Sequence, residues 1–129
     1  MRYIIYLVLF TLCVAVPSKL SAASEKAPTW LFGTWKGIAD EDGTPPDILS
    51  FDASGKYISY GIGCATHDVM DYHLHNGNVY VTIEIPGKGP IAIVFHPTAD
   101  KSRLTFTSPR SRNNATYAKL RTNPCGKKL

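Results

Sequence analysis

Apolar and polar residues alternate with a period of two in short segments after Pro28, and Gly, Pro, Asn and Asp separate these segments. The alternation is typical of strands with one buried face, and no long run has the apolar spacing of an amphipathic helix. The pattern predicts strands at about residues 30–39, 47–52, 56–62, 67–75, 78–85, 91–96, 102–107 and 114–121. Short loops favour pairing of consecutive strands, and pairing of the last with the first removes exposed edges. We therefore predict an all-β fold, a small eight-stranded antiparallel up-and-down barrel in which consecutive strands form a meander.

Asn76 and Gly77 form the strongest hairpin signal in the chain. With these two residues at the corner, the register places a set of apolar residues on the inner side: Met70, Tyr72, Leu74, Val79, Val81 and Ile83. His73 and His75 then fall on the outer side together with Asp71. We expect ordinary solvated histidines and no metal site there, because a convex strand face neither excludes water nor holds metal ligands in place.

The next loop is expected at residues 86–90, with the sequence PGKGP. If Ile85 faces Ile91 across this loop, Val81 faces Phe95 in the interior. The following strands add three more inward residues, namely Ile93, Leu104 and Phe106. The outer surface would carry one row of aromatic side chains, namely His73, Tyr80 and His96.

The first 23 residues have the organisation of a secretory signal peptide. Met1 and Arg2 precede a run of 14 apolar residues, and Ser21-Ala22-Ala23 provides a small-residue cleavage site. An uncleaved anchor is disfavoured, because such a run is too short to span a bilayer and Pro17 follows it at once. We predict cleavage after Ala23, a single domain at residues 24–129, a periplasmic or extracellular location and no membrane span.

Removal of this segment leaves two cysteines, Cys64 and Cys125. An oxidising compartment favours a disulfide between them, and two buried thiols are the alternative. The bridge would close a loop of about 60 residues and contribute about 4 kcal/mol by the chain-entropy relation.

Charge is unevenly distributed along the predicted domain. Residues 24–100 contain all ten acidic residues and four lysines, whereas residues 101–129 contain eight Lys and Arg and no acid. The net charge of this domain is +2, the whole-chain +4 less Arg2 and Lys19, so nucleic acid is not an expected partner. Closure of the barrel would bring the basic C-terminal part beside Asp40, Glu41 and Asp42.

The stretch WLFGTWKG at residues 30–37 resembles the start of the calycin group, which contains the lipocalins, fatty-acid-binding proteins and avidins. Gly33-Thr34-Trp35 matches the Gly-x-Trp motif of their first strand, and the chain looks closest to short lipocalin-like domains of bacterial exported proteins. The resemblance implies that Trp35 closes one barrel end under a basic residue from the last strand, Arg121 or alternatively Lys119. A bridge from a mid-chain strand to the C-terminal tail is also common in lipocalins, which favours pairing of Cys64 with Cys125.

The resemblance further implies a binding protein for a small apolar or amphipathic ligand held in the barrel. The candidate lining residues are Tyr57, Tyr60, Met70, Tyr72, Val81, Ile83, Ile93, Phe95 and Phe106. Because these side chains are bulky, a filled interior without a ligand is the alternative. A different function is also open, a protein-binding module that acts as an inhibitor or immunity protein against a secreted enzyme. Its contact surfaces would be the loops at residues 40–47 and 108–114.

Enzymatic activity is not predicted. The chain contains no nucleophile motif and no phosphate-binding glycine loop. Asp68 and Asp71 would lie on opposite faces of a regular strand, which disfavours acid–base catalysis by this pair. We expect no cofactor, and we expect a monomer whose partner is either a small apolar ligand or a secreted protein.

Overall fold

The computed structural model describes residues 25–65 and 67–126, so the predicted signal segment 1–23 lies outside the described residues. The strands are β1 (Gly33–Asp40), β2 (Ile48–Phe51), β3 (Lys56–Tyr60), β4 (His67–His75), β5 (Asn78–Ile85), β6 (Gly89–Pro97), β7 (Arg103–Thr107) and β8 (Asn114–Lys119). Two short 3-10 turns accompany them, at Thr29–Leu31 and Ile62–Cys64. In the part of the chain that the structure covers, no helix is long and apolar enough to cross a membrane.

The strands form one closed barrel in the order β1 to β8, and every neighbouring pair is antiparallel. The closing contact pairs Trp35 of β1 with Lys119 of β8. The register shifts between Gly37 and Ala39, so Ile38 forms a bulge. The predicted all-β barrel is therefore confirmed. We call the end that contains the 3-10 turn Thr29–Leu31 the closed end, and the end with the β1–β2, β5–β6 and β7–β8 loops the open end.

The hairpin between β4 and β5 has the predicted register. Asn76 and Gly77 both have left-handed backbone angles, with φ of 50° and 75°, as a tight hairpin corner requires. Tyr72 pairs with Val81, and both side chains are buried in the core. On the outer face His73 is exposed and stacks on Tyr80, with ring centroids 5.3 Å apart and planes 15° from parallel.

The predicted register between β5 and β6 was wrong by two residues. Val81 pairs with Ile93 rather than with Phe95, and Ile85 pairs with Gly89. The turn contains only residues 86–88, closed by a hydrogen bond of 3.0 Å from Lys88 N to Ile85 O. Gly89, which has a φ of 78°, belongs to β6 rather than to the loop. Because the error is an even number of residues, every side chain stays on its predicted face.

The same shift changes the predicted outer row of aromatic residues. Tyr80 faces Val94 instead of His96. His96 is exposed, and its Nδ1 lies 3.0 Å from Asn78 Oδ1. His73 and Tyr80 therefore remain neighbours, while His96 is displaced along the sheet.

The middle of the barrel is filled by aromatic side chains. The Phe95 ring lies between 5.8 and 6.0 Å, centroid to centroid, from four other rings, those of Phe51, Tyr57, Phe106 and Tyr117. Aliphatic residues complete this core, namely Leu31, Leu49, Leu74, Val79, Val81 and Leu104. The interior thus resembles the filled alternative over most of its depth, since eight strands enclose little more space than side chains occupy.

The closed end is built around Trp35, which is completely buried. Its Nε1 donates a hydrogen bond of 3.0 Å to Leu31 O, and the Trp30 ring meets it edge to face at 6.4 Å. The ammonium over the Trp35 ring, at 5.7 Å from the centroid, is that of Lys119. Arg121 lies two residues beyond the end of β8 and is exposed. The structure therefore places the alternative residue, Lys119, where the family resemblance suggested Arg121.

Gly33 lies beneath the side chain of Lys119. Its φ of 113° is a backbone conformation that residues with a side chain rarely adopt, and a Cβ there would lie 3.5 Å from Lys119 Cε. The Lys119 ammonium also donates a hydrogen bond of 2.6 Å to Trp30 O. The backbone angle, rather than space beside the lysine stem, therefore favours glycine at this position.

Cys64 and Cys125 form a disulfide, as predicted, with Cα atoms 5.3 Å apart. Cys64 ends the 3-10 turn after β3, at the open end, whereas Cys125 follows β8, which finishes at the closed end. The chain between β8 and the bridge must therefore run back along the barrel.

Residues 120–125, which we call the C-terminal strap, make this return along the outside. Leu120 N bonds Thr34 O at 2.8 Å, and Asn123 Nδ2 donates to the Tyr60 hydroxyl at 3.1 Å. Strand alternation directs the side chains of Thr34 and Ser50 to the outer face of the barrel. Both residues are nevertheless buried, and their hydroxyls lie 3.0 Å apart. The strap thus runs along a part of the outer barrel wall that is buried from solvent.

Candidate functional site

An apolar recess of about 310 Å³ lies at the open end of the barrel. It is lined by Ile83 and Ile85 of β5, Ile91 and Ile93 of β6, Phe106 of β7, and Lys88, Ser108, Pro109 and Arg110 from two turns. The four isoleucines are half-buried, which leaves a continuous apolar surface partly in water. A concave surface lined mainly by apolar side chains is the usual form of a small-molecule site.

Strand alternation explains why these isoleucines converge. They occupy every second position of two paired strands, and Ile83 is directly opposite Ile91. Phe106 belongs to the next strand and pairs with Phe95, whose ring lies 5.8 Å away. The recess therefore rests on the aromatic core, which gives it a rigid base.

A second, more polar recess of about 210 Å³ lies beside the first. Its lining shares Phe106 and Ser108 with the apolar recess and adds Asp40, Asp42, Thr44, Asp47, Asn113, Ala115 and Tyr117. A smaller recess of about 130 Å³ adjoins it between the upper part of β1 and the loop at residues 43–47. The open end is thus apolar on the side of β5 and β6 and acidic on the side of β1.

Asp47 is the partly buried carboxylate of the polar recess. Burial raises the pKa of Asp47, and a hydrogen bond of 3.3 Å from the Tyr117 hydroxyl partly offsets this effect. The nearby charge of Asp40 raises the pKa of Asp47 further. Burial, reinforced by the Asp47 carboxylate, also raises the pKa of Tyr117, so the tyrosine remains a hydroxyl donor.

Asp42 connects the β1–β2 loop to the β7–β8 turn. Its carboxylate accepts hydrogen bonds from Ser111 Oγ at 2.7 Å and from Asn113 Nδ2 at 2.6 Å. These bonds and the charge of Arg110 lower the pKa of Asp42. Glu41 N donates to Asn114 O at 3.0 Å in the same region. Closure therefore brings the acidic and basic loops together, as expected from the pairing of the last strand with the first.

The predicted lining residues separate into three groups. Ile83, Ile93 and Phe106 line the apolar recess. Val81, Tyr57, Tyr72 and Phe95 are buried in the filled core, and Met70 packs against it. Burial raises the pKa of Tyr57 to about 12, in keeping with an interior position.

Tyr60 lies elsewhere. It follows Tyr57 by three positions on a regular strand, so the two side chains point to opposite faces. Its hydroxyl accepts the hydrogen bond from Asn123 of the C-terminal strap. Tyr60, a candidate lining residue, thus lies on the outer face beside the strap, because the strand period of two separates it from Tyr57.

Six residues that line the recess were not among the predicted lining residues, namely Ile85, Lys88, Ile91, Ser108, Pro109 and Arg110. The period of two along β5 and β6 contained the signal for the two isoleucines, since they continue the inward series of Ile83 and Ile93. Lys88 and Arg110 come from turns, where no periodicity indicates the direction of a side chain.

Within residues 25–65 and 67–126, no group of three or more His, Cys, Asp or Glu side chains is arranged to hold an ion. No family model, curated protein or solved structure matches the chain.

Proposed function

We propose that this protein is an exported binding protein that holds a small apolar or amphipathic molecule in the recess at the open end of its barrel. The observation that carries the proposal is the concave surface of four half-buried isoleucines above Phe106. Apolar area left in water is unfavourable by about 25 cal/mol per Å², and a ligand that covers it recovers this free energy. The calycin resemblance supports the same function.

The size of the recess limits the ligand. Ligand sites in proteins usually have volumes of about 300–1,000 Å³, and this recess, at about 310 Å³, is at the lower end. The aromatic core below it leaves no path for a long molecule to enter deeper. The ligand is accordingly a small molecule, or the short apolar end of a larger one.

Titration with the neutral fluorophore N-phenyl-1-naphthylamine tests this proposal. We expect saturable binding with one site per chain. Ile91→Asn places an amide in the recess and should weaken binding about tenfold, since an unpaired polar group is costly in an apolar site. Val69→Asn is the matched control, because Val69 is 53% exposed on β4 and lies outside the recess lining. Equal affinity of the two variants would refute the assignment of the site.

A second candidate function is protein binding through the open-end loops. It is favoured by the bonds from Ser111 and Asn113 to Asp42, which join the β1–β2 loop and the β7–β8 turn into one surface. Co-purification of a secreted enzyme with the wild-type protein, but not with Asp42→Ala, would support this alternative. Retention of a small molecule in native mass spectra of protein from its own host would support the first.

A further inference from the structure

The two cations of the apolar recess lie at its edge. Lys88 belongs to the β5–β6 turn and Arg110 to the β7–β8 turn, so they approach the recess from two different loops. None of the nine residues that line this recess is acidic. The recess therefore combines an apolar interior with a purely positive edge.

Backbone hydrogen bonds hold both turns in place. Lys88 N donates to Ile85 O at 3.0 Å. In the other turn Arg112 N donates to Ser108 O at 2.9 Å, and Ser108 Oγ accepts from Arg110 N at 3.3 Å. A cation on an ordered turn loses less conformational freedom on binding than a cation on a mobile loop, which favours a specific contact.

Three acidic residues of the open end line the other recess. Asp40, Asp42 and Asp47 all lie on the β1 side. Asp42 is the carboxylate whose charge acts on Arg110, but its oxygens accept hydrogen bonds from Ser111 and Asn113. The charge of the lining residues thus changes from positive to negative between the two recesses, which share Phe106 and Ser108.

We infer that the ligand is an amphiphile with an anionic head group, held with its apolar part among the isoleucines and its head between Lys88 and Arg110. This inference rests on the proposed function and adds the chemical class of the ligand. The apolar contact supplies most of the affinity, whereas the exposed cations supply selectivity for the sign of the head group. A carboxylate, sulfate or phosphate ester has the required charge.

Isothermal titration with three probes of equal chain length tests the inference: decanoate, decan-1-ol and decyltrimethylammonium. At low ionic strength and neutral pH, decanoate should bind about fivefold more tightly than the alcohol, from two exposed ion pairs. The cationic probe should bind least. The preference for decanoate should decrease as salt is added, because exposed charges are screened.

The double variant Lys88→Gln/Arg110→Gln should lose the preference for decanoate and bind decan-1-ol as the wild type does. Lys36→Gln/Arg103→Gln is the matched control, since it removes the same charge from exposed positions outside the recess lining. This control should keep the preference.

The possible failures are distinguishable. Equal binding of decanoate and decan-1-ol would overturn the head-group assignment and leave the proposed function intact. Tightest binding of decyltrimethylammonium would overturn it in favour of the acidic recess. Binding of none of the three probes would overturn both proposals together.

Discussion

The Tyr117 hydroxyl donates a hydrogen bond of 3.3 Å to Asp47 Oδ2, which connects β8 to the loop that precedes β2 across the open end. The carboxylate is partly buried, and the like charge of Asp40 acts on it. The Asp47 carboxylate therefore loses part of its hydration when the protein folds, which disfavours its charged form. The contribution of Asp47 to stability must depend on pH for this reason.

Asp47→Asn should stabilise the protein at pH 7. Burial raises the folded-state pKa of Asp47 above the unfolded value of about 3.9, so the folded state binds the proton more tightly. Stability then falls as pH rises from the unfolded pKa through the folded pKa. Asparagine carries no charge and still accepts the Tyr117 hydrogen bond. Urea unfolding between pH 3 and 7 should show a gain that disappears below about pH 3.9.

Asp42→Asn should change stability in the opposite direction to Asp47→Asn. Hydrogen bonds from Ser111 and Asn113 lower the pKa of Asp42, so its stabilising effect is present above the unfolded pKa and is lost as pH falls. This variant should be less stable than the wild type at pH 7 and equal to it in acid. A parallel pH profile for both variants would contradict the assigned directions.

Phe95→Ala should be among the most destabilising core substitutions. The side chain is 2% exposed and contacts four aromatic rings, and buried Phe→Ala changes cost about 3–5 kcal/mol. Phe106→Ala should cost no more than about half of that, because Phe106 is only half-buried. Chemical denaturation measures both, and equal losses would show that Phe106 belongs to the core rather than to the recess.

Lys119→Met should destabilise the protein by about 1 kcal/mol. The change removes a hydrogen bond to Trp30 O and a cation–π contact with Trp35 while keeping an apolar stem. Arg121→Met is the control and should change the unfolding free energy by less than about 0.5 kcal/mol, as is usual for an exposed position. The reverse order would restore Arg121 to the role that the family resemblance suggested.

Loss of the disulfide should cost about 4 kcal/mol, because the bridge joins residues 61 positions apart. Comparison of the oxidised protein with a Cys64→Ser/Cys125→Ser variant by urea denaturation measures this value. The variant should also show faster amide exchange in the C-terminal strap, with the β4–β5 hairpin unaffected at first. Reduction of the wild type should give the same midpoint as the variant.

The sequence contained most of the information for the fold. Alternation of apolar residues predicted the strands, and the Asn76-Gly77 corner determined which side of β4 faces the core, since a hairpin with two corner residues has one register. The β5–β6 turn was harder. Its five residues include two glycines and two prolines, so the sequence does not specify where the turn ends. Gly87 and Gly89 both have left-handed backbone angles, and Gly89 already belongs to β6, so that only three residues turn.

The candidate site was less predictable than the fold. Ile83 and Ile93 were identified from the inward series, but the depth at which the interior stops being filled depends on how the Phe95 cluster packs. The position of Lys119, rather than Arg121, over the Trp35 ring has a similar origin. Strand β8 ends at Lys119, and the strap begins immediately afterwards. Such details depend on where a strand stops, which a repeating pattern does not specify.

Both tryptophans of the chain lie at the closed end. Their emission will follow the unfolding of the barrel, whereas a molecule that enters the opposite mouth has no indole beside it to quench. Fluorescence spectroscopy can thus monitor the stability of every variant, while occupancy of the recess requires its own label or a calorimetric signal. The two measurements are independent in a single sample, which separates a protein that has lost its fold from one that has lost its ligand.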